Sequence, residues 1–424
     1  MSDIGRAVSF ASLLYRQRAA TLFAGYVLCD PMARLQLRPG RADPYTIYER
    51  MRAVGPLVPT RLGNWASTSH RICNLVLRDR RFGVRTPVSL DGVVNEQSNT
   101  SFLTMNPPDH TRLRRLAMPA FSPKAVNTYR GRIERTVGDL LDRAEAAGEF
   151  DLVSSFAAAL PIAVITDLLG IPDADSAVFA RYGTVIGSAL DGIRSMRHAA
   201  DLAVSDAKLR ALFTGLFELR RREPGDDIVS HVVAAEGDQI KPAEMMPLCV
   251  LLLVAGFETT VNLIGNGVLA LLDHPEQWEA LRADPAGMAP KAVTEVLRYD
   301  PPVQRTGRTA LETMEIEGTV VHKGQLVATL IGAANRDPEA FPSPDTFDIH
   351  RVPTADHLAF SSGIHYCVGQ PLARLEAEIA LRRLAERMPR LRRGGPLRRR
   401  VSSVVRGPIR LPVRAEARAL SASH

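Results

Sequence analysis

Apolar positions recur with a helical period over most of the chain, and the breaks between periodic stretches carry helix-start and helix-stop residues. Helices are predicted to begin near Pro107, Pro123, Leu152, Asp173, Ser195 and Pro242, with stops at Gly170-Ile171-Pro172 and Glu223-Pro224-Gly225. The longest, from about Ala243 to Asp273, would run ~45 Å at 1.5 Å per residue. Around Leu248 to Gly256 it is apolar on every face, which predicts a helix buried at the centre. Period-two runs at Leu57 to Thr60 and Trp65 to Thr68 read as strands. From Thr306 to Ile331, short β-type runs broken by Glu317-Gly318 and Lys323-Gly324 read as a small antiparallel sheet. Periodicity then vanishes from Asn335 to Ala359, a length that in a compact domain points to a functional or geometrically fixed loop. The expected fold class is mainly α with a smaller β region (α+β).

No internal repeat and no Gly/Ser- or Pro-rich linker divides the 424 residues. One catalytic domain over 43–424 is expected, after an N-terminal extension, 1–42, that is surface-packed or flexible. The longest unbroken apolar runs are near ten residues, so no transmembrane span is expected. Arg16, Gln17 and Arg18 precede the apolar stretch Ala19 to Cys29, and no cleavage site follows it, so no signal peptide is expected either. A hydrophobic fraction of 46% excludes wholesale disorder. Cys29, Cys73, Cys249 and Cys367 lie far apart without a CxxC pair, which excludes a disulfide framework and a structural zinc site and makes a reducing cytoplasm the expected compartment.

The formal charge of +7 is carried almost wholly by arginine, since only five basic residues are lysines. Arginines cluster at Arg382, Arg383, Arg387, Arg390, Arg392, Arg393, Arg398, Arg399 and Arg400, with no aromatic residue among them. Nucleic-acid binding is therefore not expected. Two readings of the cluster stand, a solvated helix end and loop or a docking face for an acidic partner.

Candidate chemistry concentrates in Phe360-Ser361-Ser362-Gly363-Ile364-His365-Tyr366-Cys367-Val368-Gly369, which runs into a helical pattern near Gln370-Pro371. The glycines permit tight turns and close approach of a flat ligand. A helix start is worth ~0.3 to 2 kcal/mol to an anion, which lowers a thiol pKa of ~8.5 by at most ~1.5 units. That does not make a permanent thiolate, whereas a bond to iron deprotonates the sulfur outright. With no second ligand cysteine or HxxxH pair nearby, a haem is the economical source of the other iron ligands.

The pattern Phe-x-x-Gly-x-His-x-Cys-x-Gly resembles the haem-binding loop of the cytochrome P-450 family, with Ser361 where many members have glycine. Further motifs follow the family's order. Glu295-Val296-Leu297-Arg298, which alone reads as a surface ion pair, resembles the ExxR motif, with Arg351 matching the arginine that completes its network. Ala255-Gly256-Phe257-Glu258-Thr259-Thr260, where a carboxylate otherwise reads as internally paired, resembles the oxygen-binding groove of the long helix. The likeness spans about Asp43 to Pro412 and is greatest to soluble bacterial members.

The resemblance implies the P-450 fold, with haem b between the long helix and the cysteine loop and Cys367 as axial thiolate and metal ligand. It implies cofactor contacts from Phe360 and Gly369, room over the iron at Ala255 and Gly256, and propionate binding by His110, Arg114, Arg308 and His365. Glu258 and Thr259 are the implied catalytic pair, one relaying protons and the other hydrogen-bonding the oxygen to be activated. The implied activity is a monooxygenase acting with dioxygen on an apolar or amphipathic small organic molecule. No flavin, nicotinamide or iron–sulfur fingerprint is present, so NAD(P)H-derived electrons would come through a ferredoxin and ferredoxin reductase. The competing readings are a peroxide-driven haem oxygenase, a non-catalytic haem sensor or carrier, and a helical scaffold without cofactor. Pocket walls are expected from Thr86 to Met105, with Asp91, Asn95, Glu96, Gln97 and Asn99 as polar handles, and from Val178 to Met196, Val303 to Thr306 and Val404-Val405.

Overall fold

The structure, a computed structural model, describes residues 3–61, 63–84, 101–172 and 176–415. Among these residues the chain forms sixteen α-helices and twelve short strands. The first helices are α1 (Asp3–Tyr26), α2 (Pro31–Leu35), α3 (Arg38–Ala42), α4 (Tyr45–Arg52), α5 (His70–Arg78) and α6 (Asp109–Ala117). The central body is α7 (Pro123–Ala147), α8 (Ala159–Leu168), α9 (Ser176–Gly187), α10 (Met196–Arg222), α11 (Ile228–Ala234) and α12 (Pro242–Asp273). Then come α13 (Pro275–Ala283), α14 (Pro285–Tyr299), α15 (Ile331–Ala334) and α16 (Gln370–Arg387).

Capping chemistry sets the boundaries. Ser122 accepts from the N–H of Ala125 ahead of Pro123, and Ser195 accepts from the N–H of His198, so α7 and α10 begin where an oxygen satisfies a first-turn donor. The helix expected near Leu152 opens with a π-turn over Val153–Ala157 before α8. The expected start at Asp173 lies outside the described residues. α12 is the one described helix long and apolar enough to cross a membrane, with a mean hydropathy of 1.9 over its best window. Instead it is wrapped by α8, α9, α14 and α16, and Leu248, Leu252, Ile264 and Val268 sit in the main core. Its apolarity on all faces is the signature of a central helix.

The β region departs from the expected antiparallel sheet. β5 (Thr306–Ala310) and β8 (Leu326–Thr329) do pair antiparallel, and β6 (Met314–Ile316) with β7 (Thr319–Val321) forms the hairpin between them. However, β2 (Trp65–Ser67) lies parallel to β8, giving a mixed five-stranded sheet in the order β1 (Val58–Pro59), β2, β8, β5, β3 (Phe82–Gly83). That parallel pairing joins segments some 260 residues apart and leaves no local sequence signal. The remaining strands are β4 (Glu149–Asp151), β9 (Arg392–Arg393), β10 (Arg398–Arg399), β11 (Pro408–Arg410) and β12 (Pro412–Arg414).

Within residues 3–42 two behaviours are seen. Leu35 of α2 joins Tyr48, Met51, Ala328 and Leu330 in one apolar cluster, so this part is built into the sheet side of the body. α1 buries only one face, through Phe10 and Leu14.

One core residue gives a pH prediction. Glu376 on α16 is fully buried and, among the described residues, has no charged partner and leaves Oε2 without a hydrogen bond. Burial pushes its carboxyl well above the usual range. Its neutral form is the one the fold tolerates, so its contribution is fully present below the unfolded value and is lost as pH rises toward the folded value, with a slope of at most ~1.4 kcal/mol per pH unit. Glu376→Gln is expected to flatten this decline, read as the difference between the two proteins' thermal midpoints across pH. Parallel curves would refute it.

Candidate active site

The cysteine loop is held from behind by the motif residues of α14. Glu295 and Arg298 are almost fully buried and paired at 2.7 Å. Arg298 places all five of its N–H donors: two go to Glu295 and one each to the carbonyls of Asn335, Pro344 and Thr346. Glu295 Oε1 also receives the N–H of Asp348 and Nε of Arg351. Asn335 then bridges the carbonyl of Leu297 to the N–H of Leu358, two residues before Phe360. The aperiodic stretch 335–359 is thus a fixed strap, and its end positions the loop.

Inside the loop, the N–H of Cys367 bonds to the carbonyl of Phe360 at 2.9 Å. Ser361 has φ +65°, which explains why glycine suits that position, and Gly363 has φ +69°. A Cβ on Gly363 would stand 2.5 Å from the carbonyl oxygen of Leu77, so glycine is required there twice over. Gly369 has an ordinary φ, and the nearest atom to a side chain there would be Cys367 Sγ at 4.0 Å. Cys367 keeps accessible surface as a residue even though protein atoms crowd around its sulfur. Burial pushes its thiol up, against the N–H groups of Gly369 and Gln370 and the charge of Arg114. Burial prevails, and a bond to metal is what would keep the sulfur ionised.

Four basic side chains converge beside that sulfur. His110 and His365 stand with ring centres 4.3 Å apart, and Arg114 donates to the carbonyl of Tyr366 at 2.5 Å. Arg308, on β5, is buried and, among the described residues, bonds only to Gly307 O and Thr306 Oγ1. Both nitrogens of His110 and Nε2 of His365 are buried without a partner among the described residues. Burial, with Arg308, His110 and Arg114 nearby, pushes His365 down to about 3, and burial alone takes Arg308 down to about 10. A cluster of donors and positive charge, with no carboxylate from the described residues among them, fits an anionic ligand group such as the propionates of a haem. All four sequence-predicted residues are therefore brought together.

On α12 the geometry differs from expectation at Gly256. Gly256 is bare against Ile165, where a Cβ would meet Cγ1 at 2.7 Å, so its smallness serves packing on α8; Ala255 carries the open face. Glu258 does not pair with Thr259, whose hydroxyl bonds back to the carbonyl of Ala255. Instead, Oε1 of Glu258 lies 2.7 Å from Nη2 of Arg400, with both side chains nearly buried. The contact is off the hydrogen-bond direction, so the oxygen has charge beside it but no aligned donor. Burial raises the acid's pKa and Arg400 opposes the rise.

Comparison with known proteins bears on the whole arrangement. The family pattern for cytochrome P-450 matches residues 287–387, which include the ExxR pair and the cysteine loop. The biotin biosynthesis cytochrome P-450 of Bacillus subtilis is 38% identical over 357 residues, covering 82% of this chain and 90% of that protein. The chain is a cytochrome P-450. The 6-deoxyerythronolide B hydroxylase of Saccharopolyspora erythraea is 36% identical, covering 88% of this chain and 96% of that protein. Among solved structures, P-450 BioI in complex with acyl carrier protein ligated to hexadec-9Z-enoic acid superposes with a TM-score of 0.85 at 38% identity, covering 89% of this chain and 100% of that one. The protein is a haem-thiolate monooxygenase, inserting one atom of dioxygen into a small organic molecule with electrons from an external redox partner.

The arginine cluster in this P-450 is a solvated face only in part: Arg390, Arg392, Arg393 and Arg398 are exposed, while others of the cluster are paired with acids. Arg382 pairs with Glu134, Arg387 with Asp142 and Glu145, Arg393 with Asp273, Arg399 with Asp300, and Arg400 with Glu258. Basic groups instead line a cleft of about 960 Å³ behind the cysteine loop, among them Arg78, Lys291, His350 and Arg374. The expected wall turns 303–306 and 404–405 do meet, through the bridge Val303–Val405 and the bond from Gln304 N–H to Val404 O. The polar handles Asp91, Asn95, Glu96, Gln97 and Asn99 lie outside the described residues. Arg400 is the site residue that sequence reasoning missed, and no local pattern linked it to Glu258.

Proposed function

We propose that Cys367 is the axial thiolate of the haem, that His110, Arg114, Arg308 and His365 hold its propionates, and that Glu258 and Thr259 deliver protons on the other side. The single observation that carries this reading is the convergence of four basic groups beside Cys367, two of them histidines whose buried ring nitrogens have no partner among the described residues. When bound, the haem supplies the oxygen chemistry, with thiolate electron density favouring cleavage of dioxygen. The chain's own contribution is positional. The strap from Glu295 to Leu358 fixes the sulfur, the basic cluster fixes the rim of the cofactor, and Glu258 holds a proton at a raised pKa beside Arg400. Ala255 and Thr259, one turn apart, both keep accessible surface on α12.

The substrate is proposed to be an apolar or amphipathic small molecule. The names of the relatives, one carrying an acyl chain and one a deoxyerythronolide, support that class. The electron donor is proposed to be a ferredoxin, reduced by its reductase, docking at the basic cleft behind Cys367.

The test is the absorption spectrum of the purified protein, reduced and exposed to carbon monoxide. A strongly red-shifted Soret band supports thiolate ligation, and a band at the ordinary carbonyl position counts against it. His110→Phe combined with Arg308→Ala is expected to weaken haem retention about tenfold or more, since two charge-assisted contacts of ~1.5 to 3 kcal/mol each are removed. Transfer of haem to apomyoglobin measures it, and an unchanged transfer rate would remove both residues from the propionate site.

A further inference from the structure

α1 carries two apolar faces, and the body covers only one. Phe10, Leu14, Thr21 and Gly25 recur at helical spacing and turn inward, with Phe10 and Leu14 nearly fully buried. On the other side Val8, Tyr15, Ala19, Leu22 and Tyr26 recur at the same spacing and are exposed, Val8 at 62% and Tyr26 at 57%. Phe23, Val27 and Leu28 extend this stripe at the C-terminal end of the helix. A monomeric protein seldom leaves so long an apolar stripe in water without use.

The stripe continues onto the segment between α9 and α10. Arg18 donates to the carbonyl of Arg194, and Arg194 donates to the carbonyl of Val401, so three separate pieces of chain meet at one rim. Each adds an exposed apolar side chain or a cation: Leu190, Met196 and Val401, with Arg194 and Arg197 among them. Arg16 and Arg18 flank the α1 stripe on its two sides. From residue 8 to residue 41 the sequence has five arginines and a single acid, Asp30, which is buried under α2.

We infer that this face rests on an anionic lipid bilayer, with α1 lying in the interface. The composition fits that occupant: aromatic and aliphatic side chains along one line, arginines at the edges where headgroups stand, and no acidic residue between Val8 and Tyr26 of the helix. A second copy of the chain fits less well, because pairing two such stripes would set Arg16 and Arg18 against their own kind. Seating the rim on a membrane would present the segment joining α9 and α10 to a phase in which apolar molecules are concentrated.

Sedimentation of the full-length, haem-loaded protein with vesicles tests this without reference to turnover. The protein is expected to pellet with vesicles of mixed phosphatidylcholine and phosphatidylglycerol, and weakly or not at all with phosphatidylcholine alone. Leu22→Glu with Tyr26→Glu should weaken the association about tenfold or more. Arg16→Gln, at an exposed position, should weaken it about fivefold. Failure to pellet with the anionic vesicles, equal binding to both compositions, or binding indifferent to these variants would overturn the inference. So would a dimer in sedimentation velocity that Leu22→Glu with Tyr26→Glu dissolves, which would give the stripe to a second copy.

Discussion

Replacing Glu295 by alanine is expected to destabilise the protein by about 3 to 5 kcal/mol and to release the haem. The expectation rests on what the carboxylate leaves behind. Arg298 would keep three carbonyl partners but lose its counter-charge in a buried setting, and Arg351 and the N–H of Asp348 would lose their acceptor as well. Against a total stability of roughly 5 to 15 kcal/mol, that loss is large. It also falls on the strap whose far end, through Asn335, fixes Leu358 and the loop of Cys367. Loss of function should therefore appear first as loss of the red-shifted carbonyl band on gentle warming, before the helices melt. A Glu295→Ala protein with native thermal midpoint and spectrum would make the motif a bystander.

The same residues show what a sequence can disclose. Features encoded within ten residues were legible: the cysteine loop, the i,i+3 pair Glu295–Arg298, the i,i+4 pair His110–Arg114, and the apolar girth of α12. Each needs only local spacing to place its groups on one face. The serine at Ser361 looked like a departure, and its φ of +65° supplies the reason glycine suits that place. Long-range relations were not legible. The parallel pairing of β2 with β8 turned an expected local sheet into a mixed one. A run of arginines read as surface charge because the acids that receive them, from Glu134 to Asp300, come from six other places in the chain. Arg400 belongs to this class, and the charge arithmetic that counted it as surface missed the one partner with chemical consequence.

Arg400→Gln is expected to move the acid limb of the turnover profile to higher pH by about 1 to 3 units, the usual effect of one close opposite charge. Two opposed influences act on Glu258: burial raises its pKa and Arg400 restrains it. The acid must be a carboxylate to accept a proton and a carboxylic acid to give one, so its pKa sets the pH at which it can cycle. Without Arg400 only burial remains, and at neutral pH the group stays protonated and cannot be recharged. Electron consumption should then outrun product, with the gap closing as pH rises. Stability carries the opposite sign: a raised folded pKa means the variant is least impaired at low pH and loses ground as pH rises. Arg400→Lys, which keeps the charge, should restore most of the coupling. The surroundings favour a position-dependent contact, since a Cβ on Gly187 at the end of α9 would lie 3.1 Å from Cγ of Glu258, and Asp191 just beyond accepts the N–H of Ser403 at 2.6 Å. Arg400, which directly follows β10, and the segment after α9 thus close on the acid together, and movement of either would change the charge Glu258 feels. Superposable pH profiles for wild type and Arg400→Gln would show that the acid cycles independently of its neighbour.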